Sequence, residues 1–307
     1  MWQDLRVLVT GGRGFLGTHV VERLHQLGAD PVSVGRAEAD LLDLDSTLSL
    51  FHSVGAQAVV HCAVNGGGIG WMGSHPVESG RDSARMNLNA LEAAHRSGAA
   101  LFIGVSSACV YPRDGEIPLV ESRIWDGYPE PTNGPYALSK RLMMDLGAAY
   151  HRQHGLQVAF PILANLYGPG DALSQDRAHA VAGLLLRCLG GPDELVVWGS
   201  GNATREFLYV EDAADGVLAS ARCSRPEPVN IGTGIEVPIA RLASEISRAC
   251  GYTGTLRFDT RKPDGQPRKC MSIGAAAERL GWRSRTSLAD GLDRTVAWYR
   301  LQLGLEG

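Results

Sequence analysis

Residues 6–17 read RVLVTGGRGFLG, an apolar run followed at once by glycines at positions 11, 14 and 17. The run is short and rich in β-branched side chains, and helical spacing of apolar residues begins after it. Glycine permits a tight turn and a close approach of the backbone to a pyrophosphate, whose charge the N-terminus of the helix meets. The stretch therefore predicts a strand, turn and helix that bind a dinucleotide. The residues predicted to contact it here are Gly11, Arg13, Gly14, Phe15, Leu16 and Gly17.

Short apolar runs alternate with helical patterns through the first half of the chain, as in repeated βαβ units with a parallel sheet. After residue 165 the alternation weakens, which indicates a smaller α/β unit. We therefore predict an α/β protein: a Rossmann-type doubly wound parallel sheet (residues 1–164, joined by part of 205–240) and a second, smaller α/β substrate domain (mainly 165–307). Predicted strands are 6–10, 31–34, 58–62, 101–105, 157–161, 195–198 and 228–231; predicted helices are 15–27, 145–154, 178–189, 238–250 and 288–303; the glycine-rich stretch 65–73 is predicted to be a loop.

Composition and charge exclude several classes of partner. The 307 residues are 44% hydrophobic and 20% charged, and the net charge of -4 comes from interspersed signs, without a basic stripe for nucleic acid or a membrane surface. We expect a small-molecule substrate. With neither a leader pattern nor a run of 18 apolar residues, we expect a cytoplasmic location. The six cysteines are scattered without CxxC pairs, which argues against a metal site and a disulfide framework.

The end of the second predicted strand indicates which dinucleotide binds. An NAD enzyme places Asp or Glu there for the ribose 2′-hydroxyl, whereas this chain has Arg36, about 20 residues after the last glycine. Together with Arg13 it would suit a 2′-phosphate, which predicts NADPH/NADP as the cofactor. Asp40 or Asp43 is predicted to contact adenine. The alternative is that both arginines are solvated surface residues.

Tyr136 and Lys140 are spaced i and i+4, so they share one face of a helix. An ammonium this close favours the phenolate and is expected to lower the tyrosine pKa toward the range useful for proton transfer. Ser107 follows the predicted strand 101–105, at the sheet edge where α/β proteins place their sites.

The GxxGxxG turn, Ser107-x-x-x-Tyr111 and Tyr136-x-x-x-Lys140 together resemble the extended short-chain dehydrogenase/reductases. The resemblance implies that Ser107 and Tyr136 hydrogen-bond the substrate oxygen. It also implies that Lys140 holds the nicotinamide ribose and tunes Tyr136. Further cofactor contacts implied by it are Val105, Ser106, Lys140, Leu163, Asn165, Leu166 and His179.

A narrower resemblance covers nearly the whole chain and is strongest at residues 262–269, KPDGQPRK. It is to the GDP-L-fucose synthase family, GDP-4-keto-6-deoxy-mannose 3,5-epimerase/4-reductases that commonly form dimers. It implies an acid/base pair, Cys109 and His179, and a GDP-linked sugar held by Arg187, Trp198, Arg205 and Asp264. The other stretches that carry it are 67–69 (GGI), 130–133 (EPTN), 165–169 (NLYGP), 197–201 (VWGSG), 205–208 (REFL) and 230–234 (NIGTG).

Several alternatives stay open at this point. The stretch around Cys109 also resembles GDP-mannose 3,5-epimerase, a redox-neutral enzyme that retains its NAD. A 4-ketoreductase without epimerase activity and a non-enzymatic NADP-sensing protein are the others. Cys109 and His179 could be structural and surface residues, Arg187 and Arg205 exposed cations, Trp198 a core residue, and Asp264 a turn carboxylate. The chain departs from the family around Ala172, at Ala178, at Ser272 and in a shortened helix after Arg187, and we expect these changes to lie on the sugar side of the site.

Overall fold

The structure is a computed structural model that describes residues 1–175, 178–223, 225–262 and 264–305, so Pro263 of the KPDGQPRK stretch lies outside the described residues. The strands are β1 (Arg6–Thr10), β2 (Asp30–Val34), β3 (Ala58–His61), β4 (Leu101–Gly104), β5 (Ser106–Ser107), β6 (Gln157–Ala159), β7 (Pro161–Leu163), β8 (Asn165–Tyr167), β9 (Glu194–Trp198), β10 (Thr204–Arg205), β11 (Phe207–Tyr209), β12 (Val229–Ile231), β13 (Val237–Pro238) and β14 (Thr255–Asp259). The α-helices are α1 (Phe15–Gln26), α2 (Leu44–Val54), α3 (Ile69–Ser74), α4 (Pro76–Arg96), α5 (Gly134–His154), α6 (Ala180–Leu189), α7 (Val210–Ala219), α8 (Ile239–Cys250) and α9 (Leu288–Leu303).

The central sheet is parallel, with strand order β2-β1-β3-β4-β6. Val7, Leu8 and Val9 of β1 are all fully buried, because helices cover both faces of the sheet. The chain leaves β1 toward β2 and returns on the other side to β3, so the strand order reverses at β1. In open α/β sheets this reversal opens a crevice at the carboxyl ends of the strands. The structure confirms the predicted α/β class with a Rossmann-type sheet.

The remaining strands form small sheets that extend the structure beyond this edge. β5, β7 and β12 pair in parallel, as do β8 with β11 and β9 with β14, whereas β10 and β13 are antiparallel. Two hydrophobic clusters result. One surrounds the central sheet and also takes in buried residues between 208 and 231 and between 271 and 282. The other is built largely from α6, α8 and α9.

Three local predictions need correction. The predicted loop over 65–73 is wrong from Ile69 onward, where α3 begins: the Met72 N–H donates to the Gly68 carbonyl (3.1 Å), and the Trp71 ring stacks on His75 with centroids 4.9 Å apart. The helix predicted at 145–154 begins at Gly134, since proline in the first turn suits a helix start. The strand predicted at 157–161 is divided at Phe160 into β6 and β7, which join different sheets. No helix within the described ranges is long and apolar enough to cross a membrane.

Candidate active site

A cleft of about 1340 Å³ lies at the carboxyl ends of the central strands, between the two hydrophobic clusters. It brings together side chains from β5, α5, α6 and β9, and its lining residues extend along the chain from Gly11 to Lys269. Every site residue predicted from the sequence lines it: Gly11, Arg13, Gly14, Phe15, Leu16, Gly17, Arg36, Asp40, Val105, Ser106, Ser107, Cys109, Tyr136, Lys140, Leu163, Asn165, Leu166, His179, Arg187, Trp198, Arg205 and Asp264.

The glycine turn after β1 is packed so closely that side chains would not fit. A Cβ on Gly11, where φ is +67°, would lie 2.8 Å from the backbone nitrogen of Ala63, and one on Gly17 would lie 2.1 Å from the Gly11 carbonyl oxygen. α1 begins directly after Gly14. Its first residues, Phe15, Leu16 and Gly17, line the cleft, and the first N–H groups of a helix have no partner within the helix, which suits a pyrophosphate. The turn therefore fits a dinucleotide.

Arg13 and Arg36, which line the cleft near the glycine turn, differ in their partners. Arg13 forms an ion pair with Glu38, at 2.6 Å between Nη2 and Oε1, and the Gly35 N–H donates to the other carboxylate oxygen at 2.7 Å. The Gly35 N–H and the Arg13 guanidinium lower the pKa of Glu38. Within the described part of the chain Arg36 has no ion pair, so it is the arginine free to meet a phosphate. Sequence reasoning missed Glu38, although it lies two residues after Arg36.

Asp40 and Asp43 have different roles. Asp43 caps α2 by accepting the Ser46 N–H at 2.7 Å, and it does not line the cleft. Asp40 does line it, with one oxygen accepting the Leu42 N–H at 3.0 Å. Of the two aspartates, Asp40 is therefore the one that lines the cleft.

Tyr136 and Lys140 lie on the buried face of α5, with Nζ 5.9 Å from the centre of the tyrosine ring. Burial raises the pKa of Tyr136, and the neighbouring Cys109 thiol raises it further, so the expected lowering is wrong for this arrangement. Burial also lowers the pKa of Lys140 to about 8, partly opposed by Cys62 beside it. Spacing on the helix could not show this, because it carries no information on how deeply the pair is buried.

A buried hydrogen-bond chain holds α5 against the sheet. The His61 ring contacts the Thr10 hydroxyl through Nδ1 (2.7 Å) and the Asn87 side-chain oxygen through Nε2 (3.1 Å), and the Asn87 amide donates to the Ser139 carbonyl (3.2 Å). Burial and the nearby Lys140 lower the pKa of His61 to about 3, so the imidazole is neutral and donates from Nε2. This chain positions the turn of α5 between Tyr136 and Lys140. Sequence reasoning missed it, since no motif marks its members.

Ser107 and Cys109 lie where β5 ends. The Ser107 hydroxyl accepts the Cys109 N–H at 3.4 Å, and the Cys109 sulfur accepts a hydrogen bond from the Asn133 amide at 3.1 Å. The buried hydroxyl of Ser106 has no hydrogen-bond partner among the described residues, although buried polar groups normally have one. It lines the cleft, where a ligand atom can complete its bonding.

Two arginines at the far end of the cleft are held by main-chain carbonyls. Arg187 donates from Nη1 to Val196 at 2.7 Å, and Arg205 donates from Nη1 to the carbonyls of Thr204 and Gln266 at 2.7 and 2.6 Å. Burial lowers the pKa of both guanidiniums. They are therefore rigid cations beside the cleft and not the freely exposed ones of the alternative interpretation.

Trp198 is 65% exposed at the rim of the cleft, with the Lys262 ammonium 5.2 Å from its ring centre, so the alternative of a core tryptophan is wrong. Asp264 accepts hydrogen bonds from the backbone N–H and the hydroxyl of Ser200, at 2.7 and 2.9 Å. It thereby ties the loop after β9 to the loop of the KPDGQPRK stretch. Lys269 from the same stretch also lines the cleft.

The positions at which the chain departs from the family differ in their distance from the cleft. Neither Ala172 nor Ser272 is among the residues that line the cleft. The Ala172 carbonyl accepts the Tyr299 hydroxyl at 2.8 Å, and the Ser272 N–H donates to the Leu119 carbonyl at 2.8 Å. Ala172 and Ser272 are therefore not part of the cleft wall, whereas Ala178, where the family usually has serine, lines the cleft.

Glu206, next to Arg205, is a buried carboxylate that holds separate backbone segments together, which the sequence did not reveal. It is 2% exposed, and its carboxylate accepts the backbone N–H groups of Thr233 (2.6 Å), Gly234 (2.8 Å) and Met271 (2.8 Å). Burial raises the pKa of Glu206, and the three N–H groups act in the opposite direction. The Glu206 carboxylate thus joins its own segment to the segments that contain Thr233–Gly234 and Met271.

A Rossmann sheet whose carboxyl edge meets a Ser107, Tyr136 and Lys140 constellation defines an enzyme of the extended short-chain dehydrogenase/reductase class. The family model described as the NAD dependent epimerase/dehydratase family matches residues 7–232. GDP-L-fucose synthase 1 of Arabidopsis thaliana is 35% identical over 97% of this chain and 94% of its own length, and GDP-L-fucose synthase of Escherichia coli (strain K12) is 33% identical over 96% of each. The crystal structure of a GDP-L-fucose synthetase from Naegleria fowleri bound to NADP is 28% identical, with a TM-score of 0.89 over 99% of this chain and 96% of that one. The chain belongs to the NAD dependent epimerase/dehydratase family and, within it, to the GDP-L-fucose synthase family.

Proposed function

We propose that this chain is an NADPH-dependent enzyme that epimerises C3 and C5 of a GDP-4-keto-6-deoxy-hexose and reduces its C4. The observation that carries the proposal is the single cleft, in which a Ser107, Tyr136 and Lys140 constellation lies with Cys109 and His179. The names of the Arabidopsis and Escherichia coli relatives support the substrate.

NADPH fits the part of the cleft that runs from the glycine turn after β1 to Lys140. The tight turn at Gly11 and the start of α1 would receive the pyrophosphate, and Arg36 the 2′-phosphate. Ser106 offers an unsatisfied hydroxyl, and Lys140 an ammonium for the nicotinamide ribose. When bound, NADPH supplies the hydride that reduces the keto carbon. The NADP bound to the Naegleria protein supports this choice.

The side chains of the cleft suit both parts of the reaction. Protons next to a keto carbon are acidic because their loss gives an enolate, and the Ser107 and Tyr136 hydroxyls are placed to donate hydrogen bonds to its oxygen. Cys109 and His179 take and return these protons, a role that suits a thiol and an imidazole because each can both donate and accept a proton. In the reduction Tyr136 gives its proton to the new alkoxide, which suits a tyrosine that burial keeps protonated.

The far end of the cleft suits the GDP portion. Arg187 and Arg205 are fixed cations that can fork onto a diphosphate, and Lys269 adds a third positive charge. The exposed Trp198 ring offers a face for the nucleoside. Asp264 would act on the substrate through the loop that it holds.

The proposal includes the organisation of the protein. Residues 1–164 with part of 205–240 form the cofactor-binding domain, and 165–307 form most of the substrate domain.

A homodimer is supported by Leu138 and Leu142, which lie one turn apart on α5 and are 38% and 41% exposed. A cytoplasmic location is supported by the six cysteines, all of which are free thiols.

Incubation with GDP-4-keto-6-deoxy-mannose in heavy water, with and without NADPH, tests the function. We expect deuterium at C3 and C5, NADPH consumption that depends on the sugar, and loss of the exchange in Cys109→Ser. Cys223→Ser is the matched control, because this thiol does not line the cleft. Reduction without exchange would identify a 4-ketoreductase, and epimerisation of GDP-mannose, which has no keto group, without added reductant would identify a redox-neutral epimerase. Either result would overturn the proposal.

The pH dependence of reduction should reflect Lys140. Because burial lowers its pKa to about 8, the ammonium is present below that pH and is lost above it. We expect the rate to fall as pH rises through about 8. Well above that pH the fall should reach tenfold per pH unit, because one proton is lost. Initial rates of NADPH consumption across pH would show this limb. A rate that stays constant to about pH 10, the ordinary range of lysine, would contradict it.

A further inference from the structure

Asn133 directly precedes α5, at the position from which an asparagine normally caps a helix. The side-chain oxygen of such a residue usually accepts a backbone N–H group of the first helical turn. Among the described residues the Asn133 side chain makes no such bond, and its oxygen, Oδ1, has no hydrogen-bond partner. Asn133 is only 8% exposed and Oδ1 is buried, so bulk water is not the missing partner. The side chain therefore does not make the contact for which its position suits it.

The amide nitrogen of Asn133 is directed at Cys109 instead. Nδ2 donates to the Cys109 sulfur at 3.1 Å, and in the described part of the chain no other group is hydrogen-bonded to that sulfur. Of the two ends of an amide only the nitrogen carries protons, so it is the end that can stabilise a negative charge on sulfur. An unpaired buried oxygen costs stability. The arrangement thus favours the contact with the sulfur over the stability of the helix start.

The backbone fixes both partners of this hydrogen bond. The Asn133 N–H donates to the Glu130 carbonyl at 3.1 Å, which closes the 3₁₀ turn that leads into α5. Arg141, further along the same helix, donates from Nε to the Val110 carbonyl at 2.8 Å and so holds the short turn that contains Cys109 against α5. The position of the amide relative to the sulfur is therefore set by one helix.

No charged side chain takes the place of this amide. The titratable groups on the elements next to Cys109, or in the same cleft, are Tyr136, Lys140, Arg141 and His179, together with Arg113 and Glu130, which form an ion pair. Within the described ranges none of them is hydrogen-bonded to the sulfur. A hydrogen bond donated to the charged form of a thiol favours the thiolate, which is the form that accepts a proton. The Asn133 amide is therefore the group that supplies this bond.

We propose that Asn133 is a positioning residue for Cys109, whose amide orients the sulfur in the cleft and stabilises its thiolate during epimerisation. In that step the thiolate takes a proton from the carbon next to the keto group: the C–H bond breaks, its electron pair enters the enolate, and an S–H bond forms. When the thiol returns a proton to carbon, the electron pair of the S–H bond stays on sulfur. Because the amide donates to the charged form, it increases the fraction of enzyme in which Cys109 can act as a base.

The inference rests on the proposed function, but the thiol can be tested without substrate. In Asn133→Ser the hydroxyl can cap α5 and is too short to take the place of the amide. We expect the curve of Cys109 alkylation rate against pH, with iodoacetamide as the reagent, to shift upward by about one pH unit, as for loss of one hydrogen bond to a charged group. Mass spectrometry of the peptide that contains Cys109 measures the rate.

Thr132→Ala is the matched control for the alkylation. Thr132 belongs to the same turn, and its hydroxyl donates to the Glu130 carboxylate at 3.1 Å and not to the sulfur. We expect this variant to leave the curve for Cys109 unchanged. Alkylation of Cys223 in the same samples is the internal reference, because this thiol does not line the cleft.

Exchange of deuterium into the keto sugar without NADPH gives a second measurement. In Asn133→Ser we expect kcat for exchange to fall about tenfold below the midpoint of the alkylation curve, with little change in KM. The melting temperature should stay the same or rise, because the serine can cap α5. Should Asn133→Ser fail to fold, Asn133→Asp keeps the shape of the side chain, has no N–H donor and places a negative charge beside the sulfur, so the curve should shift in the same direction.

Two outcomes separate this inference from the proposed function. An alkylation curve of the folded variant that coincides with that of wild type, or exchange within twofold of wild type, would overturn the role of Asn133. If wild-type protein shows no exchange and the curve still shifts, the proposed function fails and the effect of Asn133 on the thiol stands.

Discussion

Tyr136→Phe should lower the rate of NADPH-dependent reduction about 10³-fold, the usual range for loss of a general acid. The substitution removes one hydroxyl from a ring that is only 9% exposed and leaves the packing of α5 intact. The alkoxide at the reduced carbon then has no proton donor at this position, and the enolate loses a hydrogen bond. Stopped-flow or steady-state oxidation of NADPH with the keto sugar measures the effect.

Tyr150→Phe is the matched control for this prediction. Tyr150 lies on the same helix, its hydroxyl donates to Glu92, and it does not line the cleft. We expect loss of the Tyr150 hydroxyl to leave the reduction rate within about twofold of the wild-type rate. A Tyr136→Phe enzyme that retains more than a tenth of the wild-type rate would show that the proton comes from another group.

Glu206→Ala should destabilise the protein by about 4 kcal/mol. The change leaves the N–H groups of Thr233, Gly234 and Met271 without their acceptor, each at a cost of about 1–3 kcal/mol, and it opens a cavity. Since total stabilities are about 5–15 kcal/mol, this is a large fraction. Urea unfolding followed by circular dichroism measures it, as a fall in the midpoint.

Glu211→Ala serves as the comparison, because Glu211 lies on the neighbouring helix α7 with a side chain that is 56% exposed. Its loss should change stability by no more than about 0.5 kcal/mol. Equal midpoints for the two variants would mean that water replaces the Glu206 carboxylate at no cost, contrary to the role inferred from the structure.

Local patterns were enough to predict the central sheet. β1 and α1 follow from RVLVTGGRGFLG because a strand covered on both faces is apolar throughout and a glycine turn tolerates no side chain. The predicted site residues all line the cleft, because Ser107, Tyr136 and the neighbouring motifs keep a fixed order along the chain.

The parts that the sequence did not reveal depend on contacts between distant segments. His61 meets Asn87 across 26 positions, and Glu206 meets Met271 across 65. The pKa of Tyr136 was predicted in the wrong direction for the same reason, since depth of burial is set by the whole fold. Glu38 was missed because its role depends on where the Arg13 side chain points.

The chain enters the first hydrophobic cluster more than once. Residues between 208 and 231 and between 271 and 282 belong to it, although α6 and β9, which precede them in the chain, contribute to the second cluster. A fusion that exchanged everything after β8 would therefore remove α7 and β12 from the first cluster as well. A single crossover after β8 therefore cannot exchange the second cluster and leave the first one intact.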